Sequence, residues 1–70
     1  MQDRPTLAII GGTGALGSGL AIRWAAAGYP VVLGSRSREK AEATAREIKP
    51  GNGAPPVRGD DNEGAARAGD

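Results

Sequence analysis

Residues 7–20, LAIIGGTGALGSGL, place four apolar residues directly ahead of five glycines spread over nine positions. A continuous apolar run bounded by Pro5 and Gly11 is the pattern of a strand covered on both faces in a parallel sheet, and we expect a strand over Thr6–Ile10. From Ala15 the period changes. Leu16, Leu20 and Trp24 recur on one helical stripe, and Gly28 follows where a helix C-terminus favours a residue that tolerates positive φ. Pro30 then opens a second apolar run, Val31–Leu33, at a strand start where its missing N–H does no harm. Strand, glycine turn, helix and strand make a βαβ unit.

Beyond Gly34, residues 35–49 read SRSREKAEATAREIK, a stretch of strong helix formers. Ser37 is the expected N-cap, with Glu39 near the positive end of the dipole and Lys49 at the other. Ala41, Ala45 and Ile48 give this helix a narrow apolar face. Residues 50–56, PGNGAPP, form a loop by composition. Val57-Arg58 reads as a short third strand, and Asn62 as the cap of a short helix through Ala68.

Composition narrows the classes. Seventy residues suit at most one small domain, and with one Trp, one Tyr and no Phe its core must be aliphatic and small. Nine Lys plus Arg against eight Asp plus Glu leave a net charge of +1 with interspersed signs, so no nucleic-acid surface is expected. Cysteine and histidine are both absent, which removes disulfides, thiolate chemistry and nearly every transition-metal site. The apolar runs are too short to span a bilayer, and the opening MQDRP is unlike a signal peptide. We expect a cytoplasmic protein with neither a membrane nor a nucleic-acid partner.

Within the opening stretch, Gly12-Thr13-Gly14-Ala15-Leu16-Gly17 fits G-x-G-x-x-G between an expected strand and an expected helix, the context of a dinucleotide-binding turn. Gly12 permits the tight turn, Gly14 lets a pyrophosphate approach the backbone, and Gly17 allows helix and strand to pack closely. Gly19 extends that close packing. Free N–H groups around Ala15 and Leu16 would stabilise the negative charge, and the Thr13 hydroxyl is either a turn residue or a phosphate donor. At the end of the second strand, where NAD-specific proteins carry a carboxylate for the ribose hydroxyls, this chain has Gly34-Ser35-Arg36 with Lys40 one helical turn on. Ser35, Arg36 and Lys40 can receive a 2′-phosphate, which points to NADP. Arg38 reads as part of a solvated helix start, Trp24 as packing, Tyr29 as remote from the phosphate site, and Asp60, Asp61 and Glu63 as loop and cap residues.

The expected architecture is α/β: a partial Rossmann fold, a doubly wound parallel sheet cut off after about three strands in the order 3-2-1. Residues 1–70 would be the N-terminal part of a dinucleotide-binding domain. No fourth strand is left to lie beside the first, whose open edge would otherwise pair with a second chain, for instance in a homo-oligomer.

Residues 9–45, IIGGTGALGSGLAIRWAAAGYPVVLGSRSREKAEATA, closely resemble the N-terminal part of the NADPH-dependent reductases of the deazaflavin coenzyme F-420, the F-420:NADP oxidoreductases. The likeness runs from about Leu7 to Ala45 and returns at Asn62-Glu63-Gly64-Ala65-Ala66. It implies hydride exchange between NADPH and F-420, with the protein acting chiefly as a positioning frame. By the same resemblance GGTG holds the pyrophosphate, and Thr13, Ser35, Arg36 and Lys40 surround the 2′-phosphate. The family often has a polar residue where this chain has Ala15. Its nicotinamide and deazaflavin pockets are expected mostly outside this chain, so no catalytic residue is transferred and no metal is expected. Two other readings fit the residues: a non-catalytic dinucleotide-binding module or remnant, and an atypical short-chain reductase, since Gly11, Gly14 and Gly17 also match G-x-x-G-x-x-G.

Overall fold

A computed structural model describes residues 5–11, 14–51 and 53–69, for Ala15 and Leu16 the backbone alone. The chain alternates strand and helix throughout: β1 (Leu7–Ile10), α1 (Ala15–Ala26), β2 (Val31–Ser35), α2 (Arg38–Arg46), β3 (Arg58–Asp61) and α3 (Asn62–Ala68). The three strands form one parallel sheet in the order β1-β2-β3, the α/β architecture of a truncated Rossmann-like fold. β1 pairs with β2 from Leu7↔Val31 to Ile10↔Gly34, and β2 with β3 from Val32↔Arg58 to Ser35↔Asp61.

Alternation along the strands assigns the two faces. Ile9, Val31 and Leu33 share a buried cluster with Ala21 and Ala25 of α1, with Ala45 of α2 and with Ile48 and Val57. α1 and α2 therefore cover one face. On the other face, a Cβ at Gly34 would stand 2.8 Å from the Cβ of Ala65, and one at Gly69 would stand 2.8 Å from the Cβ of Ala8, so α3 lies against small residues of β1 and β2.

β2 is buried along its whole length because it has a neighbour on each side. It runs to Ser35, two residues past the expected end, since both ladders continue that far. β1 behaves differently. Only Ile9 is buried and Ile10 is 53% exposed, so cover on both faces is not reached at this edge strand.

The expected stripe on α1 is also corrected. The helix buries Ala21 and Ala25 completely, with Trp24 half-buried beside them, whereas Leu20 is exposed. The small side chains let the helix axis approach the sheet, which turns the bulkier Leu20 outward. Among the described residues nothing lies within 4 Å of where a Cβ at Gly19 would be, so it is not needed for close packing against any of them. Gly28 ends the helix as expected. At φ 99° its amide donates to the Ala25 carbonyl at 3.0 Å, and the Tyr29 amide donates to that of Trp24 at 3.1 Å, the paired bonds of a Schellman cap.

β3 begins one residue after Val57 and reads RGDD, a sequence of poor strand propensity. Tertiary pairing with β2 overrides that preference. Gly59 makes the pairing compatible with α2, because a Cβ there would run into the backbone of Ala41 and Glu42. Gly59→Ala should therefore lower the thermal midpoint on the order of 10 °C, the effect of about 2 kcal/mol of overpacking. Gly19→Ala should raise stability by about 1 kcal/mol, since a helix gains from alanine where space is open. Circular dichroism melts of both variants check the pair, and changes of the same sign would contradict this packing.

Candidate functional site

The register pair Ile10↔Gly34 brings the ends of β1 and β2 side by side, so the glycine turn and the Gly34-Ser35-Arg36 segment leave the sheet as neighbours. Gly11 turns the chain at φ 73°, a conformation glycine adopts without steric cost. Its amide donates to Oδ1 of Asn62 at 3.3 Å. Gly14, at φ −77° and ψ 165°, is the N-cap of α1. Its amide reaches the Gly11 carbonyl at a long 3.4 Å, and its carbonyl accepts the first ladder bond, from the Ser18 amide at 2.9 Å. The amides of Ala15, Leu16 and Gly17 thus precede the ladder and have no partner within the helix. Gly12 and Thr13 lie outside the described residues.

The three helix starts differ in how those amides are met. At α2 the Ser37 hydroxyl accepts the Lys40 amide at 3.2 Å, as expected, and Glu39 sits in the first turn. At α3 the Asp61 carboxylate accepts the Gly64 amide at 2.6 Å, with Glu63 in the first turn. α1 has neither a side-chain cap nor an acidic residue in its first turn. Among the described residues a Cβ at Gly14 would meet only the Gly11 carbonyl oxygen, at 3.9 Å, so none of them crowds this end. Positive potential from the dipole is offset at two helices by their own side chains and left bare at the first.

The cap of α3 corrects the expectation for Asn62. Asp61, the last residue of β3, already has the extended backbone of a cap, at φ −71° and ψ 171°. Asn62 is instead the first helical residue, and its side chain crosses to Gly11. Its reach over 51 residues is a feature no local pattern shows.

Ser35 is buried, 8% exposed, and its Oγ accepts the Ser37 amide at 3.3 Å. That hydroxyl keeps its proton to donate. Arg36 and Lys40 are exposed, and among the described residues neither enters an ion pair. Arg38 is different, its Nε lying 3.5 Å from Glu42 and 3.6 Å from Asp60. The nearby acids are also committed: Asp60 accepts the Asp61 amide at 2.8 Å, Asp61 caps α3, and Glu63 pairs with Arg67 at 3.3 Å. Tyr29 and Trp24 pack against the core near the far end of α1. A separate recess of about 430 Å³ follows the free edge of β3 between Arg38, Arg46 and Arg58, away from the α1 start.

Residues 6–70 match the model of the family described as "NADP oxidoreductase coenzyme F420-dependent". The chain belongs to this family. Among curated proteins it is 52% identical over 42 residues to the F420-dependent NADP reductase of Methanothermobacter thermautotrophicus (strain Delta H), an alignment covering 60% of this chain and 18% of that protein. The F420-dependent NADP reductase of Methanothermobacter marburgensis (strain Marburg) is 50% identical over 42 residues, covering 60% of this chain and 19% of that protein. The matched segment thus spans about a fifth of either relative's length. Among the described residues no helix is long and apolar enough to cross a membrane.

The bare α1 start generates a stability prediction. A carboxylate at Gly14, whose backbone already has cap geometry, would accept the free amides and oppose the dipole. Gly14→Asp should stabilise the fold by about 0.5–1 kcal/mol, raising the melting midpoint by roughly 3–6 °C. A lowered midpoint would show that those amides are already satisfied.

Proposed function

We propose that residues 1–70 are the N-terminal, NADP-binding part of an oxidoreductase that passes hydride between NADPH and coenzyme F-420. One observation carries the reading: the uncapped start of α1 adjoins the end of β2, beyond which stand Arg36 and, in the first turn of α2, Lys40, two cations without carboxylate partners among the described residues. A helix start of this kind suits a pyrophosphate, and an adjacent guanidinium suits a further phosphate monoester. The residues present fit the nucleotide, since the site offers amides, a hydroxyl and cations, and the acids Asp60 and Asp61 at the end of β3 are engaged elsewhere.

In this reading the amides of Ala15, Leu16 and Gly17 meet the pyrophosphate and Gly14 lets it approach the backbone, with Gly12 leaving the turn bare and Thr13 adding a hydroxyl. Ser35 would donate a hydrogen bond to the 2′-phosphate. Arg36 would hold that group with its planar fork of donors, and Lys40 would add a point charge from the first turn of α2. The bound nucleotide supplies the hydride, so the protein's own contribution is orientation and charge rather than a nucleophile. We place the F-420 site mostly outside this chain and assign no catalytic residue within it. The family match and the names of the two relatives support this reading over a short-chain reductase.

Titration calorimetry with NADPH and NADH tests the selection. The unmodified chain should prefer NADPH, and Arg36→Asp should weaken NADPH about tenfold to a hundredfold, the worth of one charged hydrogen bond, while leaving NADH within about twofold. Equal losses for both nucleotides, or no binding of NADPH by the unmodified chain, would overturn the assignment.

A further inference from the structure

We propose that Asn62 is a positioning residue for the nucleotide turn. Its side-chain oxygen holds the Gly11 amide and thereby fixes how the chain leaves β1, an inference that rests on the proposed NADP site.

The turn has few supports of its own. Among the described residues nothing lies within 4 Å of a Cβ position at Gly11, and the local bond from the Gly14 amide to the Gly11 carbonyl is long, at 3.4 Å. The 3.3 Å bond to Asn62 is a second anchor, and it comes from the far side of the sheet's end, where β3 passes into α3. With Gly11 tied at its amide and Gly14 tied to its carbonyl, both polar groups of the turning residue are engaged. Two opposed contacts then hold the φ of 73°.

The bridge depends on β2 being bare where it crosses. A Cβ at Gly34 would stand 3.1 Å from the Asn62 oxygen and 2.8 Å from the Ala65 Cβ. Glycine at position 34 therefore does more than bring α3 close to the sheet, because it clears the line from α3 to the turn. The residue type at position 62 follows from the same geometry. An aspartate could accept the Gly11 amide equally well, but it would place a negative charge beside the proposed diphosphate. Asparagine accepts without charge.

Three measurements on the whole chain test the role: hydrogen exchange of the Gly11 amide by nuclear magnetic resonance, calorimetric affinities for NADPH and NADH, and melting midpoints. In Asn62→Ala the Gly11 amide should lose protection, and both nucleotides should weaken about fivefold to tenfold, with their ratio unchanged. Asn62→Asp should keep the amide protected yet weaken both nucleotides at least as much, with partial recovery in high salt as the added charge is screened. This split between amide protection and affinity is one that a merely stabilising contact would not produce. Unchanged affinity in Asn62→Ala, unchanged Gly11 exchange, or a loss confined to NADPH would overturn the positioning role while leaving the nucleotide site in place. If the unmodified chain binds neither nucleotide, the site and this role fall together.

Discussion

Three parallel strands end side by side, and at that end α1 starts with amides that no side chain of its own first turn satisfies. Unpaired N–H groups at a helix start are tolerated only where water or an anion can reach them. The other two helices resolve the same difficulty internally, through Ser37 and Asp61. The contrast within one small sheet makes the first start a specific feature of this sequence. Glycine at position 14 is central to it, because serine or aspartate there would close the opening from within.

The packing serves this arrangement. Ala21, Ala25, Ala41 and Ala65 are wholly buried, so the helices meet the sheet through methyl groups and approach it closely. Close approach brings helix starts near strand ends, and it explains why so little bulky apolar material suffices. Among the described residues Leu33 and Val31 are the largest fully buried side chains, both on the central strand. Trp24 and Tyr29 close the opposite end of α1, where they contribute cover without crowding the turn.

Much of this was legible in the sequence, for identifiable reasons. β1, α1 and β2 follow from a change of hydrophobic period at a glycine run, and the Ser37 and Gly28 caps from local hydrogen-bonding preferences that act within a few residues. Periodicity ranks residues by size and so points to Leu20, whereas the fold selects the small residues Ala21 and Ala25. β3 was largely hidden because RGDD has no strand character of its own and is held by β2 and by the close pass of α2 at Gly59. Residue type alone points to Asn62 as a cap, yet Asp61 holds that position and Asn62 bonds to Gly11, a contact set by tertiary geometry. The roles of Ser35, Arg36 and Lys40 rested on their distance from the turn. The register of β1 with β2 supplies the neighbourhood that such a role requires.

The most direct measurement of the central claim is a map of backbone amide shifts during titration of the isotopically labelled chain with NADP. The amides of Gly14, Ala15, Leu16 and Gly17 should show the largest changes, followed by those of Ser35 and Arg36, all saturating with one affinity. Unmoved amides at the α1 start, with the changes gathered instead along the free edge of β3 around Arg46 and Arg58, would contradict it.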